Sequence, residues 1–255
     1  MNVTEPFRLK GRKALITGAS RGIGRAIALA FADAGAELVL TATNADRLAR
    51  VAHEVAFRGA RAHAIAADLR DPAATLDVVD RAHAAMGGLS VVVNNAGLTL
   101  PADDDPASIS LEAYDRLVAV NFRAPVFIMQ RAGVHMKAGG GGVIINISSI
   151  AAARGSNVYG AAKAALESYT RGLARAWGRF GIRVVALAPG LVATDMSASV
   201  RADSQVMAAV LAQTYLGRVG TPEEVASAAV FLASDAASFI TDAVLPVSGG
   251  RVLLY

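Results

Sequence analysis

Lys13–Gly24, reading KALITGASRGIG, is the stretch that decides the fold. Lys13 to Thr17 is a short apolar run, and Gly22 to Ala34 follows with apolar residues at helical spacing. The reading is strand, tight turn, helix. Gly18, Gly22 and Gly24 let the backbone turn sharply and approach a ligand. The unpaired N–H groups at the start of the helix favour an anion there, as a pyrophosphate would provide. The spacing differs from the common GxGxxG: three residues separate Gly18 from Gly22 and one separates Gly22 from Gly24.

The same alternation continues outward from this unit. Strands are expected at Glu37–Ala42, Ala62–Ala66, Ser90–Val93, Val143–Ile147, Ile182–Leu187 and near Ala243–Val247. Helices are expected at Ala45–Phe57, Ala73–Met86, Leu111–Lys137 and Val158–Phe180, with another opened by Thr221-Pro222-Glu223-Glu224. Strands alternating with helices of this length imply parallel pairing and right-handed crossovers. Without a composition break, repeat or linker, the chain reads as one α/β domain over residues 1–255, doubly wound in the Rossmann manner, with about seven parallel strands.

Composition narrows the function classes. Of the 255 residues 54% are hydrophobic, enough for a large core, yet no apolar run approaches a membrane span. Met1–Lys10 lacks the apolar centre of a signal peptide, which points to the cytoplasm. With no cysteine, disulfides, thiolate nucleophiles and cysteine-based zinc sites are excluded. The net charge of +4 is spread without a dense basic block, so neither nucleic acid nor an anionic membrane is an expected partner. His53, His63, His83 and His135 lack ligand-like spacing, and the acidic run Asp103–Asp105 reads as a solvated loop; no metal site is expected.

Asn146–Lys163, NISSIAAARGSNVYGAAK, carries a candidate chemistry. Tyr159 and Lys163 stand four apart, so on a helix they share a face about one turn apart. A phenol of pKa about 10 is a poor base at neutral pH, but a neighbouring cation favours its phenolate. Alone, the pair would equally suit an ordinary surface helix.

Taken in order, these segments resemble the classical short-chain dehydrogenases/reductases over about Phe7–Gly250. Thr17–Gly24 is similar to the family's glycine motif, Asn94-Asn95-Ala96-Gly97 to the motif after strand four, Tyr159–Lys163 to YxxxK, and Pro189-Gly190 with Thr194 to the segment beside the nicotinamide. The resemblance implies an oxidoreductase moving hydride between a nicotinamide cofactor and a carbonyl or secondary alcohol. It implies a tetrad of Asn121, Ser149, Tyr159 and Lys163. Tyr159 would exchange the proton, Lys163 would lower its pKa and hold the nicotinamide ribose, Ser149 would hydrogen-bond the carbonyl, and Asn121 would hold a water. The implied cofactor contacts are Gly18, Ser20, Arg21, Gly22, Ile23 and Gly24, then Thr43, Asn44, Asp68 and Leu69. Asn95, Ala96 and Gly97 follow, with Tyr159, Lys163, Pro189, Gly190, Val192 and Thr194. An acid at the end of strand two usually marks NAD preference; Thr41-Ala42-Thr43-Asn44 stands there instead. Arg21 can pair with an added phosphate, so NADP(H) is expected over NAD(H).

The chain also departs from the family pattern. Tyr159 follows Ser149 by only ten positions, fewer than is usual, and counting back the usual distance lands on Asn146, which has no hydroxyl. The 28 positions from Asn121 to Ser149 agree with the resemblance, which locates the shortening in Ile150–Val158, with Ser148 as the alternative serine. Val185 stands where Asn is frequent, and Asp242 where Gly is usual. Asp195–Gly217 is expected to lid a small ketone, sugar or polyol substrate. The alternatives are a 3-oxoacyl-(acyl-carrier-protein) reductase and a non-catalytic dinucleotide-binding scaffold. Against the former, two arginine positions of such reductases read Gly140 and Phe180, with Arg179 next door. A homodimer or homotetramer is expected through helices 111–137 and 158–180.

Overall fold

The computed structural model describes residues 5–99, 108–154 and 157–251; the acidic run Asp103–Asp105 lies outside them. Seven strands form one sheet: β1 (Lys13–Thr17), β2 (Glu37–Ala42), β3 (Ala62–Ala66), β4 (Val91–Asn94), β5 (Gly142–Ile147), β6 (Ile182–Pro189) and β7 (Val244–Val247). All pairs are parallel, in the order β3-β2-β1-β4-β5-β6-β7. The order reverses direction between β1 and β4, and a crevice opens there at the carboxyl ends of the strands.

Both faces of the sheet are covered, which is why its inner strands are apolar throughout. Within β1, Ala14 and Ile16 join the core beneath α1 (Gly22–Asp33) and α2 (Ala45–Phe57), while Leu15 joins the opposite core. That second core packs under α3 (Pro72–Met86), α5 (Ala124–Ala138) and α7 (Val158–Trp177). Val185 is fully buried in the first core beside its β5 partner Ile145, so an apolar side chain there completes the packing. Asp242 has φ 58°, the left-handed conformation that makes Gly usual at such a position and that Asp tolerates.

The long helix expected over Leu111–Lys137 is divided. α4 (Leu111–Val118) passes through a five-residue π turn, Ala119–Arg123, into α5. Pro125 has no N–H to return to the Asn121 carbonyl four residues back, so the ladder widens at Asn121. Beyond the sheet's carboxyl edge lie α6 (Ala151–Arg154), α8 (Ala198–Ala202) and α9 (Ser204–Ala212). The last helix, α10 (Pro222–Ala233), opens with Thr221 and Glu224 in a reciprocal capping box and Pro222 in its first turn.

Candidate active site

The glycine turn is built for close approach. Gly18 has φ 65°, and a Cβ on it would lie 2.8 Å from the Ala96 Cα. A Cβ on Gly24 would lie 2.3 Å from the Gly18 carbonyl oxygen, so this glycine serves the packing of turn on helix. Thr17 and Asn95 lock the turn to the β4 end. The amides of Asn95 and Ala96 donate to Thr17 Oγ1 at 3.0 and 2.9 Å, and Asn95 Nδ2 donates to the Thr17 carbonyl at 2.9 Å.

A cavity of about 950 Å³ runs from this turn along the carboxyl ends of the strands. Gly18, Ser20, Arg21, Gly22 and Ile23 line it, as do Thr43, Asp68 and Leu69. Asn95, Ala96 and Gly97 line it as well, together with Pro189, Gly190, Val192 and Thr194. Two expected contacts stand back from the wall. Gly24 is buried in the first turn of α1, and Asn44 caps α2, its Oδ1 accepting from the Arg47 amide at 2.8 Å. Arg21 lies on the wall but donates to Asp195 Oδ2 at 2.8 Å, and that pairing holds the Asp195 carboxyl below the usual carboxylate range.

At the other end the cavity reaches Ser149, Tyr159 and Lys163. Asn157 caps α7, its Oδ1 accepting from the Gly160 amide at 3.1 Å, and so fixes the turn that carries Tyr159. Lys163 Nζ donates to the Ile147 carbonyl at 2.8 Å and sits 5.8 Å from the centre of the Tyr159 ring. Burial pulls the ammonium down to about 8. The expected lowering of Tyr159 is not what the protein alone displays: burial pushes the phenol up, while the nearby Ser149 hydroxyl pulls the other way. The cation is engaged by a carbonyl, and desolvation of the phenolate outweighs its influence.

The two serines are distinguished by their partners. Ser149 stands close enough to Tyr159 to draw its phenol downward, and its Oγ accepts from the Ala151 amide at 3.1 Å. Ser148 is buried and donates to Glu167 Oε1 at 2.6 Å, so its hydroxyl is committed elsewhere. The shortened segment therefore still delivers Ser149 to Tyr159. Asn121 is fully buried beside the cavity and not on its wall. Its Nδ2 donates to the carbonyls of Leu98 and Leu117 at 2.9 and 3.0 Å. A Cβ on Gly97 would lie 2.9 Å from Asn121 Oδ1 and 3.7 Å from Lys163 Nζ, so these three residues adjoin.

Several wall residues carry no sequence signal of their own: Leu98, Thr99, Arg116, Val120, Met196 and Val200. Arg47 and Arg50 share a smaller hollow with Arg21 and Asp195, and only their position on the helix after β2 could have suggested it. Among the described residues there is no cluster of metal-ligating side chains and no helix long and apolar enough to cross a membrane.

A family profile described as enoyl-(acyl carrier protein) reductase matches residues 18–251. The chain belongs to the classical short-chain dehydrogenase/reductase family. Among characterised relatives it is similar to the cis-4-hydroxycyclohexanecarboxylate dehydrogenase of Sinomonas cyclohexanicum, 40% identical over 94% of this chain and 96% of that protein. The gluconate 5-dehydrogenase of Gluconobacter oxydans is 38% identical over 98% of both, and the 3-oxoacyl-(acyl-carrier-protein) reductase of Aquifex aeolicus 35% over 96% and 98%. A solved structure from Beutenbergia cavernae, provisionally named an NAD(P)-dependent gluconate 5-dehydrogenase and holding NADP at low occupancy, superposes with a TM-score of 0.92. It is 40% identical and covers 96% of this chain and 98% of its own. A 7α-hydroxysteroid dehydrogenase with NADH and 7-oxo glycochenodeoxycholic acid gives 0.93 at 35% identity, covering 99% of each chain.

Proposed function

We propose that this protein is an NADP(H)-dependent oxidoreductase that interconverts a small ketone and the corresponding secondary alcohol. The observation that carries the reading is the meeting of Ser149, Tyr159 and Lys163 at one end of a cavity whose other end is the glycine turn. The residues fit a dinucleotide: Gly18 and Gly22 of the glycine turn line the cavity, and the start of α1 offers backbone N–H groups to a pyrophosphate. NADP(H), when bound, supplies or accepts the hydride. Absence of an acid at the end of β2, and the presence of Arg21 with Arg47 nearby, support the phosphorylated cofactor.

Tyr159 acts as the proton donor in reduction. Its raised pKa keeps the phenol protonated near neutral pH, ready to give its proton to the carbonyl oxygen as negative charge develops there. Ser149 donates a second hydrogen bond to that oxygen, a fixed dipole that needs no rearrangement during the reaction. Lys163, buried against Ile147, supplies positive charge beside the phenolate left behind and lies within reach of a nicotinamide ribose. The widened turn at Asn121 leaves its carbonyl without an α-helical donor, the arrangement required to hold a water near Lys163. Asp195–Gly217, from which Met196 and Val200 reach the cavity wall, closes over the substrate.

The test is a panel of ketones, polyols, sugar acids and acyl thioesters, followed by NADPH absorbance with Tyr159→Phe as control. Turnover of small ketones supports the reading. NADPH binding with no turnover anywhere would favour the non-catalytic scaffold. A second reading, the acyl-carrier reductase, draws support from Lys137 and Arg179, which sit 4.9 and 4.8 Å from the exposed Phe180 ring and offer cations to an acidic partner. Activity confined to acyl thioesters would select it. The reading also takes the protein as a cytoplasmic homodimer or homotetramer, supported by the exposed Leu111, Tyr114, Phe127 and Val134 on α4 and α5. A monomeric mass in light scattering would overturn the assembly.

A further inference from the structure

Three segments remote in sequence meet beyond the carboxyl ends of β5, β6 and β7. Arg154 ends α6, Gln213 caps the C-terminus of α9, and Arg251 lies four residues past β7. The two guanidiniums converge on one neutral atom: Arg154 Nη2 donates to Gln213 Oε1 at 3.2 Å, and Arg251 Nη2 donates to the same oxygen at 3.3 Å. Among the described residues neither arginine has an acidic partner. Among the described residues Arg251 Nε, itself buried, has no hydrogen-bond partner. Burial and the neighbouring Arg154 both push the Arg251 guanidinium below its usual range.

Two cations sharing an amide oxygen, one with an orphaned donor, form an arrangement that an anion would complete. A buried donor left unpaired is costly, the more so when charged, and an anion seated there would remove that cost. The place suits a substrate. α6 follows directly from Ser149, and Arg154 lies three residues beyond Ala151, whose amide bonds the Ser149 hydroxyl; that is a rise of roughly 5 Å along a helix. The tail carrying Arg251 is pinned to the end of the lid segment, with the Leu216 amide donating to the Gly249 carbonyl at 3.0 Å.

We propose that Arg154 and Arg251, gathered by Gln213, bind the carboxylate of the substrate, which is therefore a hydroxy or oxo carboxylic acid. Neither guanidinium lines the cavity wall that Tyr159 faces, so the carboxylate stands away from the reacting carbon and is not that of a 2-hydroxy acid. Planar guanidinium forks match a carboxylate in two parallel hydrogen bonds. The proposal rests on the ketone and alcohol reading above, and its test separates the two.

Calorimetry on the NADPH complex with cyclohexanecarboxylate as probe, and inorganic phosphate in a second arm, reads the anion seat without turnover. Binding of the carboxylate, weakened about tenfold by Arg251→Gln and by Arg154→Gln and partly restored by Arg251→Lys, supports the proposal. Gln213→Glu places an internal carboxylate between the guanidiniums; it is expected to raise Tm and to abolish carboxylate binding. Kinetics supply the other arm, with wild type preferring 4-hydroxycyclohexanecarboxylate to its methyl ester about tenfold in kcat/KM and Arg251→Gln losing that preference. Carboxylate binding that is absent, or equal in wild type and all variants, overturns the proposal. Phosphate binding tighter than carboxylate overturns the carboxylate assignment. No turnover of any compound, with carboxylate binding intact, overturns the reading of the reaction and leaves the seat standing.

Discussion

The two halves of the cavity are made in different ways. From β1 to β4 the walls are backbone: a turn of glycines, the amides of Asn95 and Ala96, and side chains such as Thr17 whose bonds go to the main chain. From β5 onward they are side chains brought from distant segments, as where Ser149 and Tyr159 come together beside Lys163. A backbone-built half constrains residue type position by position. A side-chain-built half constrains only the meeting point, and many sequences can satisfy it.

Tyr159→Phe probes the second half hardest. Removing the proton donor is expected to lower kcat by about a thousandfold, within the usual range of general acid catalysis, while NADPH affinity changes little. Stopped-flow reduction and NADPH fluorescence titration measure the two separately. A residual activity above a tenth of wild type would take the proton from elsewhere.

Lys163 offers a contrast in sign. Its ammonium is held at about 8 in the folded protein against 10.5 for the free group. Below pH 8 the unfolded chain holds this proton more tightly, so burial costs stability there; as pH rises from 8 towards 10.5 the cost fades. Relative to Lys163→Met, wild type should gain about 3 kcal/mol between pH 7 and pH 10.5, read from urea unfolding at each pH. Parallel curves for the two proteins would mean that the ammonium is solvated.

The first half is broken by Gly24→Ala. A Cβ 2.3 Å from the Gly18 carbonyl, itself backbone, forces turn and helix apart. A loss of about 1–3 kcal/mol of stability is expected, together with weaker NADPH binding. Gly172→Ala, where no atom lies within 4 Å of the added carbon, is the control and should be neutral or stabilising.

This division also sets what the sequence makes legible. KALITGASRGIG yields β1, the turn and α1 because glycine positions and strand period are local signals. The strand expected at Ser90–Val93 is displaced by one residue, to Val91–Asn94, a difference that apolar periodicity does not resolve. The π turn hidden in Leu111–Lys137 was signalled only by Pro125, since Ala119–Arg123 is otherwise ordinary helix sequence. Of Thr43 and Asn44, the two contacts expected at the end of β2, Thr43 faces the cavity but Asn44 turns to cap α2, and Thr41 before them is buried in the sheet. The Ser148–Glu167 bond and the Arg154–Gln213–Arg251 cluster had no local signal, because each depends on segments that only the fold brings together.

One ion pair joins the two halves, and the smallest expected effects lie there. Arg21 of the glycine turn is paired with Asp195 at the start of the lid segment, 2.8 Å apart and with both side chains more than half exposed. An exposed pair of this kind is worth about 0.2–1 kcal/mol, less than a charge-assisted bond to a phosphate bearing nearly two charges. A 2′-phosphate should therefore draw Arg21 away from Asp195, at the cost of that contact to the lid. Arg21→Ala is expected to weaken NADPH binding about tenfold and to leave NADH nearly unchanged. Asp195→Asn should do the reverse, tightening NADPH binding about threefold by removing the competing carboxylate. Fluorescence titration of both cofactors against the three proteins measures the ratios. Wild type preferring NADH by more than tenfold would reject the phosphorylated cofactor, whereas an NADPH preference indifferent to Arg21 would move the phosphate to Arg47 and Arg50 in the adjoining hollow.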